Sequence, residues 1–310
     1  MHATEYPFIK ILSMTRPKPN GLDQYYHELT SLGNQLYEIL DQGKEWSGEL
    51  ASALKNGGGA IFPHTYFSKC GEQMGAVIHA ILDSGADQVI MLGTVHPFPG
   101  LFEARVKEFN GEDISQEPSW GVLNPESING KALLKNEFSL NLFKSLWKIE
   151  VERRGKKAPR LIERYPSLVN RHPETLPGMK ELKDLTKNAV VIGTEDYCHH
   201  GVAYAIPKNS AIHMGENALS FARQQIENGF SLLQQNKYAE FYKHGMHLNA
   251  IGDPSDVSTT IHYLVGSHAQ LKILNLKLVD VSHLFEDDPS PSWVAATLVK
   301  ITKSGGQASN

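Results

Sequence analysis

Apolar residues along this chain follow two rhythms. Between 21 and 42 they recur at Tyr25, Leu29, Leu32, Leu36 and Leu40, the three-and-four spacing of a helix with one buried face. Gly57, Gly58 and Gly59 break that rhythm, and short continuous runs follow at Ala60–Phe62, Gln88–Leu92 and Ala189–Ile192. Runs without polar alternation suit parallel strands covered on both faces. Between them helical spacing returns, over Gly71–Leu82 through Met74, Val77, Ile78 and Ile81, and in a helix that closes at Leu182–Leu185. Ser210–Gln235 and Ser255–Leu264 read as further helices, and Lys272–Val281 and Trp293–Ile301 as late strands with antiparallel pairing expected. The alternation predicts a single α/β domain over 1–310, a central mixed, largely parallel sheet between helix layers, with a frayed tail from about 304. Lys148–Arg164, with Arg153, Arg154, Lys156, Lys157 and Arg160, reads as a solvated surface loop.

In open α/β sheets, sites form just beyond the carboxyl ends of strands. Three such ends carry ligand-type side chains. GAIFPHTYFSKCG places His64 after its run, QVIMLGTVHPFPG places His96, and AVVIGTEDYCHHG places Glu195, Asp196, Cys198, His199 and His200. The second and third share a strand–Gly–Thr design. Neighbouring strands lie about 4.8 Å apart, so side chains at their ends can converge. Phe62, Leu92 and Ile192 are therefore expected on neighbouring strands with their carboxyl ends to one side. Two imidazoles and a carboxylate with open positions form the triad of non-haem Fe(II) enzymes, and zinc hydrolases also use two His and an acid. The residue pattern leaves iron and zinc both open.

Other readings of these residues carry less. Cys198 and His199 as a thiol–base pair is disfavoured, because adjacent residues rarely face each other and no oxyanion motif is present. Cys70 reads as a packing residue at a helix start, and His172, His213, His244, His262 and His268 share no usable spacing. Tyr66, Phe67, Phe98 and Phe102 fit either an apolar mouth or the core. No P-loop, GxGxxG or GxSxG pattern occurs.

Composition narrows the class of partner. A hydrophobic share of 41% supports a substantial core. Thirty basic residues against 34 acidic ones give a net charge of −4, which argues against nucleic acid. A mean hydropathy of −0.32 and the lack of an apolar run of about 18 residues argue against a membrane span. The first residues show no basic segment or cleavage site of a secretory signal, and two cysteines make no disulfide framework, so a cytoplasmic location is expected.

In order and spacing, PHTYFSKCG, VIMLGTVHPFPG and VVIGTEDYCHHG resemble the Memo-like family, which is related in fold to the class III extradiol dioxygenases of the protocatechuate 4,5-dioxygenase type. The resemblance spans most of the chain. It implies that fold, with His64 and His96 as metal ligands and Asp196 and His199 lining the same pocket. His199 would be the general acid or base, at a pKa suited to neutral pH, and Asp196 would orient it. Two positions depart from the family. Its Glu-His-Ser element stands here as Glu137, Phe138 and Ser139, and its third ligand, a cysteine, falls at Ile251. Isoleucine cannot bind a metal, so Asp253 or Asp256 is expected to supply a carboxylate, with Asp196 in reserve. The resemblance implies a metal-dependent oxidoreductase, a non-haem iron dioxygenase acting on a small catechol-like substrate. Fe(II) is the first choice of metal, with copper or zinc as alternatives. The competing implications are a non-catalytic metal- or ligand-binding member of the family and a metal-dependent hydrolase. The expected partner is a small molecule, not nucleic acid or membrane, and no oligomeric state is implied.

Overall fold

The computed structural model describes residues 29, 31–96, 98, 100–155, 157–169, 171–248, 255–285, 287 and 289–303. Helices α1 (Gln35–Gln42) and α2 (Lys44–Lys55) lead into β1 (Gly59–Phe62) and the long α3 (Phe67–Ser84). Then come β2 (Gln88–Leu92), α4 (Leu101–Asn110), β3 (Gly121–Leu123), α5 (Ile128–Leu133), α6 (Asn141–Arg154) and β4 (Arg160–Ser167). Helix α7 (Met179–Leu185), β5 (Val190–Thr194) and β6 (Tyr197–Gly201) follow. The chain continues through α8 (Glu216–Gln234), α9 (Tyr238–Leu248) and α10 (Asp256–Val265) to the hairpin strands β7 (Gln270–Asp280) and β8 (Ser292–Thr302).

The strands form one mixed sheet in the order β3-β4-β2-β5-β1-β8-β6, with β7 on the other edge of β8. Its centre, β4-β2-β5-β1, is parallel, and β3 and β8 flank it antiparallel. Ala60 pairs with Ile192 and Leu92 with Gly193, so the three expected strands are neighbours and end on the same side. Along each strand the side chains alternate between two cores. Phe62, Met91 and Ile192 face one core, shared with α3 and α6. Ile61, Ile90, Leu92 and Val191 face the other, shared with α7, α8 and α10. Both faces of these strands are covered, which is why their sequence runs are apolar without alternation.

The basic stretch at Lys148–Arg164 is not a loop. Helix α6 runs through Arg154, and β4 starts at Arg160. The helix is held by Leu142, Phe143, Leu146 and Trp147, all buried, and by Glu150 one turn further on. The buried Glu150 carboxylate accepts from Arg153 (2.6 Å) and Arg154 (2.7 Å), and Arg153 also pairs with Asp41 and Arg154 with Asp83 (2.7 Å), so two of the charges that suggested a solvated loop are held in ion pairs. The start of the first expected helix, 21–28, and the tail 304–310 lie outside the described residues. No helix among the described residues is long and apolar enough to cross a membrane.

Candidate functional site

The shared Gly–Thr element brings the ends of β2, β5 and β1 together. A Cβ on Gly193 would stand 2.4 Å from Val257 Cγ1, and one on Gly93 would stand 2.2 Å from the Tyr165 ring. Glycine at these points lets α10 and Tyr165 press against the strand ends. The threonines that follow then extend the sheet with side-chain bonds. Thr94 Oγ1 donates to Thr194 O (2.8 Å), and Thr194 Oγ1 donates to Phe62 O (2.9 Å). Ser139 Oγ donates to Thr94 O (2.9 Å), which ties the segment carrying Glu137 to the same place.

His64 and His96 meet above this ladder, with ring centroids 5.1 Å apart and ring planes at 83°. Their tautomers follow from their neighbours. Thr194 has one hydroxyl proton, already given to Phe62 O, so at 3.0 Å it accepts from His64 Nδ1–H. Glu137 lies 3.0 Å from His96 Nδ1 and also accepts from the backbone N–H of His96, Phe138 and Ser139. Burial raises the Glu137 pKa, but His96 and these N–H groups outweigh it and hold the pKa at about 2. The carboxylate is therefore ionised, and His96 Nδ1 carries the proton. In their neutral forms both rings thus place the lone pair on Nε2, the atom a metal takes. A carboxylate behind a histidine is the usual outer support of a metal ligand.

Asp196 accepts from the backbone N–H of His64 (3.1 Å), and its Oδ2 lies 3.9 Å from His64 Nε2. A lone-pair nitrogen and a carboxylate oxygen facing each other at that distance suit a bridging water or cation. Burial, with His96 and His199 nearby, holds the His64 pKa well below the ordinary histidine value.

His199 reaches the site through an irregularity in β6. The register with β8 shifts between Tyr197 and His200, and Cys198 sits in the left-handed region at φ 48°. Such strain in a non-glycine residue persists only where its surroundings fix it. His199 stacks on Tyr204 at 4.7 Å, and Tyr204 meets Phe285 edge-on at 6.1 Å. Burial, then the neighbouring His96, pushes the His199 pKa down to about 3. That differs from the expectation of a group tuned to neutral pH: His199 is a neutral imidazole here. His200 turns away, accepting from Ile212 N–H (2.9 Å) and stacking on Trp293. The Cys198 thiol is buried and its pKa is pushed up to about 12, which removes it as a thiolate nucleophile. Cys70 is buried and donates to Tyr66 O (3.2 Å).

Asp256 departs from the expected ligand role. Its Oδ2 pairs with Arg105 and accepts from Leu168 N–H (3.3 Å), while Oδ1 accepts from Val169 N–H (2.9 Å). Arg105 is buried on α4, and a buried guanidinium without a carboxylate is costly, so Asp256 balances charge inside the protein. Asp253 and Ile251 lie outside the described residues. Glu195 is also structural, taking Ser258 N–H (3.0 Å) and Ser258 Oγ–H at the start of α10. Among the described residues no group of three or more His, Cys, Asp and Glu is placed to hold a metal ion. What the fold brings together is two imidazoles, His64 and His96, with the Asp196 carboxylate beside His64.

Three residues gain a role that their sequence did not signal. Thr194 sets the His64 tautomer. Phe138 stacks on His96 at 4.1 Å and meets His64 edge-on at 6.2 Å. Tyr204 backs His199. Of the aromatic residues named for a mouth, Phe67 is core, and Tyr66 Oη bonds His283 Nε2 at 2.8 Å. No protein-family model matches the chain, and no curated protein is significantly similar to it.

Proposed function

We propose that the chain is a metal-dependent oxidoreductase of the Memo-like, class III extradiol dioxygenase type, acting on a small catechol-like substrate. The observation that carries this reading is the pair of Nε2 lone pairs on His64 and His96, each set by a bond at Nδ1. A metal held there, iron first and copper or zinc after it, would supply Lewis acidity and, as Fe(II) or Cu(I), electrons for dioxygen. The chain's own residues do the rest. Thr194 and Glu137 fix the two rings. His199, neutral and backed by Tyr204, offers a hydrogen bond to a substrate hydroxyl. Phe138, Tyr204 and Phe285 offer apolar faces to a flat ring.

A second reading, a non-catalytic metal- or ligand-binding protein, is favoured by Phe138. It stands where the resembling family has a histidine, and its ring lies flat on His96. Anaerobic loading with Fe(II), dialysis and elemental analysis, followed by oxygen uptake with catechol-type compounds, separates the two. The first reading expects stoichiometric iron, lost in both His64→Ala and His96→Ala, and oxygen uptake that depends on it. Iron without uptake supports the second reading. Wild-type protein that retains no metal overturns the first.

A further inference from the structure

The outer edge of β4 is open over its first half. Arg160 N–H donates to Asp87 O (2.9 Å), and Arg164 O accepts from Gly93 N–H (3.0 Å). The backbone groups of Arg160, Ile162 and Arg164 therefore point at β2, and those of Leu161 and Glu163 point outward, where Arg164 Nη1 already donates to Glu163 O (2.8 Å), leaving that carbonyl its second lone pair and both outward N–H groups for a partner. Strand β3 covers only Tyr165–Ser167. Continuing its register would set Pro125 opposite Glu163, and proline has no N–H to give. The chain turns away instead, with Asn124 Oδ1 accepting from Glu126 N–H (3.0 Å) and Asn124 O from Ser127 N–H (3.0 Å). This leaves a groove of about 490 Å³ between the β4 edge and the turn. Lys131, Lys144, Arg160 and Arg164 line it, against Glu126 and Glu163.

We propose that this groove docks an extended acidic peptide, which adds to β4 as a further strand. The charge on the groove points to that partner. Four cations face two carboxylates, on a chain whose net charge is −4. Lys144 is tied to Glu163 and Arg164 to Glu181, while Lys131 and Arg160 are exposed and have no ion-pair partner among the described residues. Ile128, 93% exposed, lies one helical turn before Lys131 on α5 and offers an apolar anchor beside the groove. Charged side chains also guard sheet edges against unwanted pairing. A guarded edge needs no facing wall, however, and here the turn and α5 supply one. Strand addition uses backbone bonds for affinity and side-chain contacts for selectivity, and the outward amides and the cations provide both. The groove flanks the first half of β4, whereas the histidines follow the carboxyl ends of β1 and β2, so the two sites are separate.

The test uses the full chain and a fluorescein-labelled peptide of alternating Glu and Val at low salt. Saturable binding is expected, weakened roughly tenfold or more by the double variant Lys131→Glu, Arg160→Glu, and equally by replacing the peptide's Glu with Lys. Hydrogen exchange should slow at the Leu161 and Glu163 amides and stay unchanged at Arg160, Ile162 and Arg164. A peptide with proline at alternate positions should lose binding. The proposal is overturned by no saturable binding up to about 1 mM peptide. It is equally overturned if the charge variant binds as tightly as wild type, or if the proline peptide competes equally. Tighter binding of a single-stranded oligonucleotide, without protection of the two amides, would also overturn it and mark the groove as a phosphate contact.

Discussion

Thr194 holds two bonds with one hydroxyl: its proton goes to Phe62 O and its oxygen takes His64 Nδ1–H. Thr194→Val keeps the shape and removes both. A buried N–H is then left without its acceptor, so unfolding free energy should fall by about 1–3 kcal/mol, read from urea melts. Thr194→Ser should retain most of it. If Val is as stable as wild type, the tautomer assignment of His64 fails. His64 and His96 were legible from sequence because each follows an apolar run by a few residues. Thr194 was not, because nothing in a Gly–Thr pair says where a hydroxyl proton goes. Phe138 was legible only as a departure from a family pattern, and its stacking on His96 is a contact across the fold. Asp256 misled for a related reason: it stood out by its nearness to Ile251 in the chain, whereas its partner Arg105 is 151 positions away.

At the scale of elements, close approach of α10 to β5 depends on Gly193. Adding a Cβ there meets Val257 Cγ1 at 2.4 Å and Ile261 Cδ1 at 2.7 Å. Gly193→Ala should cost about 1–3 kcal/mol through overpacking. Gly48 is the opposite case, exposed inside α2 with nothing within 4 Å of an added Cβ. Gly48→Ala should stabilise by about 0.5–1 kcal/mol, because glycine loses more freedom in a helix. Urea midpoints that move the same way for both variants would contradict the packing account. The parallel strands were readable because both their faces are buried and their runs are apolar. Helix α6 was not, because Arg153 and Arg154 look solvated until Glu150 is seen between them. Strand β3, with only Gly121–Leu123, carries too few residues for any rhythm.

Across the whole molecule, the sheet order β2-β5-β1 is what turns three separate motifs into one cluster. The two covered faces also set a pH response. His262 is fully buried in α10 and bonds Tyr238 Oη at 3.1 Å, and burial pushes its pKa down to about 4. The unfolded chain binds that proton near 6.5, so it takes up more protons than the native state between about 6.5 and 4. His262 therefore contributes stability that is full above 6.5 and lost as pH falls toward 4, by about 3 kcal/mol at most. His262→Phe should flatten that part of the stability curve measured by urea melts, and an unchanged slope would contradict it. His64 and His96, at the strand ends, are reached by nitrogen-15 NMR of the imidazoles with Zn(II) as a diamagnetic probe. Both rings are expected to carry the proton on Nδ1 before metal is added, and both Nε2 signals to shift on titration. Nε2-protonated rings, or Nε2 signals that ignore the metal, would rule out a metal held by these two histidines.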